Sequence, residues 1–340
     1  MGKTVTISAL AKELGLSESA VSKALNDYPD ISPDTKKLVR LKAEEMGYSP
    51  NLMARNLAKK TSNFVGVVIR DASSIYGEMF KSLSIVARRC GLNLILYDTN
   101  NDRAIERECV QNLIDTMAMG IVVVPVSEDV APIRRMTRNR VPVVYLGGKV
   151  RSDSTNYVSS DSAAGAEIAL RHLISLGHRK IVMLCDSKES NSRSRKKAVY
   201  QKIMRELGQE ERILYSSEAE SDMAAAGYAL GKQLLAEGKA FTAFFAVKDL
   251  LAIGAVSALK EADVGVPQEV SAVGYDGLDA SGLPLIHLTT VAQPRMEMAE
   301  KVIDILRRHA EDPTAPPEHW LAKPELMIRG STAAREPAIP

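Results

Sequence analysis

From Phe64 onward the chain repeats one unit, a short apolar run followed by an amphipathic helical stretch. The runs are Phe64–Ile69, Leu92–Tyr97, Gly120–Val126, Val141–Leu146, Lys180–Cys185, Arg212–Tyr215, Phe241–Val247 and Val270–Tyr275. Helical spacing of apolar residues fills Met79–Arg89, Ile105–Met117, Ala163–Leu176, Arg195–Leu207, Met223–Ala236 and Asp249–Ala262. Strands that are apolar on both faces must be covered on both, and helical connections bring successive strands parallel. The alternation therefore predicts an α/β fold. Eight such units are too many for one comfortable sheet, so two doubly wound parallel-sheet subdomains are expected. The crossover falls near Ser159–Asp161, and Leu288–Val291, Met296–Arg308 and Glu325–Ile328 return to complete the sheets. A ligand crevice is expected at the carboxyl ends of the strands.

The first 60 residues follow another pattern. Ile7, Leu10, Ala11 and Leu14 are spaced as one face of a helix, and Gly15 ends it. Ser17 suits the N-cap of a second helix with Ala20, Val21, Ala24 and Leu25 inward. Glu18, Ser19, Ser22 and Lys23 remain outward. Two short helices joined by a tight turn form a helix-turn-helix, and this hydrogen-bonding face suits a major groove. Taken alone, the same residues also suit a small three-helix bundle with a solvated face. Ser32-Pro33 opens a third helix that stops at Gly47, and Ser49-Pro50 starts another short one. Residues 1–60 carry a net charge of +3 and the remainder −1. A mildly basic head fits phosphate contact, though the bias alone argues little.

Other classes are disfavoured. No apolar run reaches membrane length, and the N-terminus lacks a signal core. Cys90, Cys109 and Cys185 are odd in number and widely spaced, as in a reduced cytoplasmic protein. No G-x-S-x-G, H-E-x-x-H, C-x-x-C or G-x-G-x-x-G occurs, and the five histidines do not cluster. Neither an enzyme, a cofactor, a metal site nor a membrane partner is expected.

Two motifs now stand out: A-x-x-x-G-L-S-x-x-x-V-S-x-x-L-N from Ala11 to Asn26, and G-Y-x-P-N-x-x-A-R-x-L from Gly47 to Leu57. Together they resemble the LacI/GalR family of bacterial transcription regulators, and the resemblance runs on to Glu325–Thr332. It implies a helix-turn-helix DNA-binding domain over 1–48 and a hinge helix and linker over 49–62. It implies a periplasmic-binding-protein-like effector and dimerisation core over 63–340. Within that core the N-subdomain spans about 63–160 and 292–322, and the C-subdomain about 161–291 and 323–332. The implied function is a sequence-specific transcription regulator, expected to be a repressor, acting as a homodimer on a pseudo-palindromic double-stranded DNA operator. A small carbohydrate-type ligand between the subdomains would control operator affinity. The rival reading, a periplasmic-type solute-binding protein, lacks a use for the head.

By the resemblance, Glu18, Ser19 and Lys23 contact bases, with Glu18 equally suited to solvent. Thr6, Ser17, Ser22 and Asn26 suit phosphates. Asn51, Ala54 and Leu57 belong to the hinge, whose Leu57 wedges into the minor groove. The implied effector residues are Asp71, Ser74, Tyr76, Gly147, Arg195, Asp222, Lys248 and Asp276, any of which also suits a salt bridge or helix terminus. The family pattern is broken at Lys248, where an amide is usual, and at Gly147-Gly148, where a carboxylate is usual. Both changes favour an anionic sugar derivative, unless Lys248 pairs with Asp222 or Asp71 and leaves the pocket neutral.

Overall fold

The computed structural model describes residues 5–48, 62–72, 75–138, 140–147, 153–187, 191–217, 222–238 and 241–335. The chain forms two compact units, Met1–Ser62 and Asn63–Pro340. Nearly all of the expected hinge and linker, with Asn51, Ala54 and Leu57, lies outside the described residues, as do Ser74 and Gly148.

The first unit holds α1 (Ile7–Leu14), α2 (Glu18–Leu25) and α3 (Pro33–Glu45). Each start is made by a hydroxyl that accepts an orphan N–H. Thr6 Oγ1 accepts from Ala9 at 3.2 Å, Ser17 Oγ from Ala20 at 3.1 Å, and Ser32 Oγ from Thr35 at 3.2 Å. Gly15 closes α1 in the left-handed conformation, φ 64°, which a Cβ would disfavour. Leu10, Ala11, Val21, Ala24, Val39 and Ala43 form its core.

The second unit contains two six-stranded sheets. The first joins β1 (Phe64–Ile69), β2 (Asn93–Asp98), β3 (Gly120–Val123), β4 (Val143–Leu146), β5 (Asn156–Ser160) and β11 (His319–Ala322). Its order is β11-β5-β4-β3-β1-β2, all parallel. The second joins β6 (Ile181–Cys185), β7 (Ile213–Tyr215), β8 (Ala243–Ala246), β9 (Ser271–Asp276), β10 (Thr289–Ala292) and β12 (Glu325–Met327). Its order is β12-β10-β9-β8-β6-β7, with only β12 antiparallel. Strand order reverses between β1 and β3 in one sheet and between β6 and β8 in the other. These are the switch points at which doubly wound sheets bind ligands.

Helices cover the sheets. The first carries α4 (Ile75–Arg89), α5 (Arg103–Asp115), α6 (Ala131–Thr137) and the late helix α11 (Arg295–Glu311). The second carries α7 (Ser162–Ser175), α8 (Asn191–Glu206), α9 (Met223–Ala236) and α10 (Asp249–Glu261). One apolar core lies between the first sheet and α4 and α11, around Val65, Val67, Leu83 and Val302. Another fills its opposite face around Cys109, Leu113 and Ile121. The second sheet shares a single continuous core around Phe244, Phe245, Met183 and Leu170.

Two strands depart from the sequence expectation. Asn156–Ser160, not expected as a strand and overlapping the expected crossover near Ser159–Asp161, is strand β5, and His319–Ala322 is strand β11. β5 is rich in polar residues, and β11 is an edge strand with exposed His319 and Leu321. Neither has the continuous apolar run that betrays a strand buried on both faces.

Candidate functional site

In the first unit, α2 and its caps expose Ser17, Glu18 and Ser19 and leave Ser22, Lys23 and Asn26 half-exposed. Ser17 and Thr6, read for phosphate contact, are the caps of α2 and α1. A cap oxygen keeps a free lone pair, so the two roles are compatible. Asn26 Nδ2 donates to the Ser22 carbonyl at 2.8 Å. Lys23 Nζ lies 2.5 Å from Asp30 Oδ2 in a solvent-exposed pair, which raises the ammonium pKa and holds the Asp30 carboxyl below its usual range. Such a pair holds weakly, so Lys23 can exchange Asp30 for a base or phosphate acceptor.

In the second unit, the carboxyl ends of both sheets face one cavity of about 200 Å³. From the first sheet come Arg70, Asp71, Val124 and Gly147, just beyond β1, β3 and β4, and Ser159 and Ser160 at the end of β5, joined by Tyr76 and Met79 of α4. From the second come Asp186 after β6, Val247 and Lys248 after β8, and Tyr275 and Asp276 of β9. Asp71, Tyr76, Gly147, Lys248 and Asp276, all expected from sequence, therefore share one cavity.

Two expected residues do not line it. Arg195 is half-exposed on α8, which instead turns Ser192, Arg193 and Lys196 toward the cavity. Asp222 is the N-cap of α9, its Oδ1 accepting from Ala224 at 2.8 Å and Ala225 at 3.3 Å. Its neighbour Met223 reaches the cavity. Gly147 has a second role besides leaving space: its φ of 95° is a conformation suited to glycine at the end of β4. Sequence reading missed Asp186, Arg193, Lys196, Gln293 and Arg295. For Arg193 and Lys196 the signal was helical spacing in the Ser192–Lys197 run, where several cations compete for one face, and for Asp186 it was its position directly after the run Lys180–Cys185.

Five cations, Arg70, Arg193, Lys196, Lys248 and Arg295, and three carboxylates, Asp71, Asp186 and Asp276, line the cavity. Lys248 Nζ pairs with buried Asp186 Oδ2 at 2.9 Å, rather than with Asp222 or Asp71. Lys196 Nζ donates to the Val247 carbonyl at 2.9 Å and sits 3.3 Å from the centroid of the Tyr275 ring. Burial lowers the Lys196 ammonium pKa and raises that of the Asp276 carboxyl, while each one's charge opposes the other's shift. Gln293 Nε2 donates to Asp276 Oδ1 at 2.9 Å. Asp276 has φ 126°, a strained conformation for a residue with a side chain. Below it, fully buried Asp249 anchors the following loop. Its Oδ2 accepts from the Leu278 N–H at 2.7 Å and Ser281 Oγ at 2.6 Å, and its Oδ1 from Thr290 Oγ1. The Tyr275 hydroxyl is buried against Gly165 of α7, close to Ser160 and Ser162, and burial raises its pKa. Among the described residues, no group of His, Cys, Asp and Glu is placed to hold a metal, and no helix is long and apolar enough to cross a membrane.

A family model described as a periplasmic binding protein-like domain matches residues 170–332. The chain is 28% identical over 312 residues to catabolite control protein A of Priestia megaterium, covering 91% of this chain and 94% of that protein. Its fold matches a lac repressor dimer bound to operator and the anti-inducer ONPF, with TM-score 0.85, 25% identity, and 98% and 100% of the two chains covered. A CelR–cellobiose complex matches with TM-score 0.69 and 24% identity over 96% and 99%. A helix-turn-helix unit and a ligand cleft in one chain define a DNA-binding transcription regulator under small-molecule control. Over nearly its whole length the chain is similar to regulators of the LacI/GalR family.

Proposed function

We propose that this chain is a cytoplasmic, homodimeric repressor that reads a pseudo-palindromic operator with α2. Its operator affinity is set by one sugar-sized ligand between the two sheets. The observation that carries the reading is the cleft itself. It brings two carboxylates able to bind hydroxyls, Asp186 and Asp276, together with Tyr76 and the Tyr275 ring between the carboxyl ends of both sheets. A volume of about 200 Å³ suits a ligand smaller than a typical drug-sized molecule. A lac repressor relative is a dimer on operator, and CelR holds cellobiose, which supports the dimer and the carbohydrate class.

The expected preference for an anion rested on the cation at Lys248 and on the carboxylate lost at Gly147. Lys248 pairs with Asp186 and is used internally, which favours a neutral polyhydroxyl ligand over a sugar acid or phosphate. Calorimetry of neutral pentoses and hexoses against their acid and phosphate forms tests this. The neutral form should bind at least as tightly as its anionic forms. Tenfold tighter binding of an anion, lost in Lys248→Asn, would restore the charge argument.

A further inference from the structure

A second set of groups joins the two sheets beside the cleft, and none of it was legible as a ligand residue. Arg295 opens α11, and Glu78 and Lys81 lie on α4, both helices of the first sheet. All three reach the loop that follows Asp276 at the end of β9, in the second. Arg295 Nη1 donates to the Gly277 carbonyl at 2.8 Å and the Asp276 carbonyl at 3.2 Å. Its Nη2 lies 2.9 Å from Glu78 Oε2, an ion pair without hydrogen-bond alignment. Glu78 Oε1 accepts from the Asp279 N–H at 2.8 Å. The Arg295 and Glu78 side chains are only 18% and 22% exposed. Lys81 and Asp279, paired at 3.2 Å, are 69% and 66% exposed, so that outer pair holds little.

The inner pair therefore grips the strained ligand-facing segment by its backbone, from the opposite lobe. We propose that Arg295 and Glu78 are positioning residues that form a clasp between the lobes. They hold the Asp276–Asp279 loop, aim the Asp276 carboxylate, and pass a change at that loop to α4. The regulatory meaning of the clasp rests on the reading of the cleft as an effector site; its existence as a mechanical link does not.

Hydrogen exchange by mass spectrometry on the free full-length protein tests the link with no ligand present. Glu78→Ala should accelerate exchange over residues 276–282 about tenfold, with α7 unchanged as a guard against global unfolding. Glu78→Gln, which keeps an acceptor for the Asp279 N–H, should accelerate it less. The coupling is read by loosening the loop from its own lobe. Thr290→Val removes the oxygen that accepts from the Gly277 N–H at 3.3 Å. It should accelerate exchange in α4 of the otherwise unaltered protein, and not in the Glu78→Ala background. Should Thr290→Val not fold, Ser281→Ala loosens the same loop through Asp249. An unchanged 276–282 segment in Glu78→Ala, or an equal response of α4 in both backgrounds, overturns the clasp. Either result leaves the sugar-binding reading standing.

Discussion

Arg195 and Lys196 show how narrowly a cleft is specified by sequence. A helix turns about 100° per residue, so Arg193 and Lys196 share a face of α8 that Arg195 does not. The run Arg193-Ser194-Arg195-Lys196-Lys197 offers cations on nearly every side, and only the helix rotation selects between them. Asp276 was named through the family resemblance. Asp186 stands in the same place, directly after the apolar run Lys180–Cys185, and that strand-end position was the signal that could have found it. Buried and mutually charged, Lys196 and Asp276 should behave as a unit. Lys196→Met alone should cost about 1–3 kcal/mol, because it leaves the Val247 carbonyl without its donor and removes the charge that opposes the desolvation of Asp276. Lys196→Met with Asp276→Asn should recover most of that in urea titrations, whereas additive losses would show that the two do not interact. A second titratable group sits far from the cleft. His178 is buried, with Nδ1 3.0 Å from Thr242 Oγ1 and Nε2 2.9 Å from Ser271 Oγ, and burial holds its pKa below the usual value. A depressed pKa stabilises the fold above the unfolded value near 6.5 and loses that contribution as pH falls through the folded value. His172, also lowered by burial, acts in the same direction. The melting temperature should therefore drop from about pH 6.5 toward pH 5, and less steeply in His178→Gln. An identical drop in both proteins would remove His178 from the explanation.

Elements were read most reliably where caps and apolar period agreed. Thr6 and Ser17 start the first two helices, Ser32-Pro33 starts α3, and Gly15 stops α1, each through a hydrogen bond or a positive φ that residue type announces. The central strands of both sheets were legible for the same reason, since β3, β6, β8 and β9 are buried throughout. β5 and β11 escaped because pairing with neighbours, rather than their own pattern, makes them strands. The clasp escaped for a related reason: Glu78 and Arg295 are over two hundred residues apart and meet only when α4 packs on α11. On α2, stability and recognition should separate. Ser17→Ala removes a cap and should cost about 1 kcal/mol in thermal unfolding of the first unit. Lys23→Ala breaks only an exposed pair, so melting should hardly move while DNA affinity falls at least fivefold in an anisotropy titration. A melting loss in Lys23→Ala equal to that in Ser17→Ala would mean that the Asp30 pair is structural.

The whole molecule joins a unit built to present a polar helix to one built to enclose a small ligand. Such a protein converts the concentration of a metabolite into occupancy of a DNA site, and the two events need share only a few kcal/mol of coupling. Everything downstream depends on α2 reading sequence rather than merely meeting phosphates. The most direct test is selection of duplexes by the full-length protein from a random-sequence pool at fixed salt, followed by affinity measurement on the winners. A two-fold-symmetric site should emerge, bound at least about a thousandfold more tightly than scrambled DNA. Enrichment of no motif, with equal affinity for selected and scrambled duplexes, would contradict it.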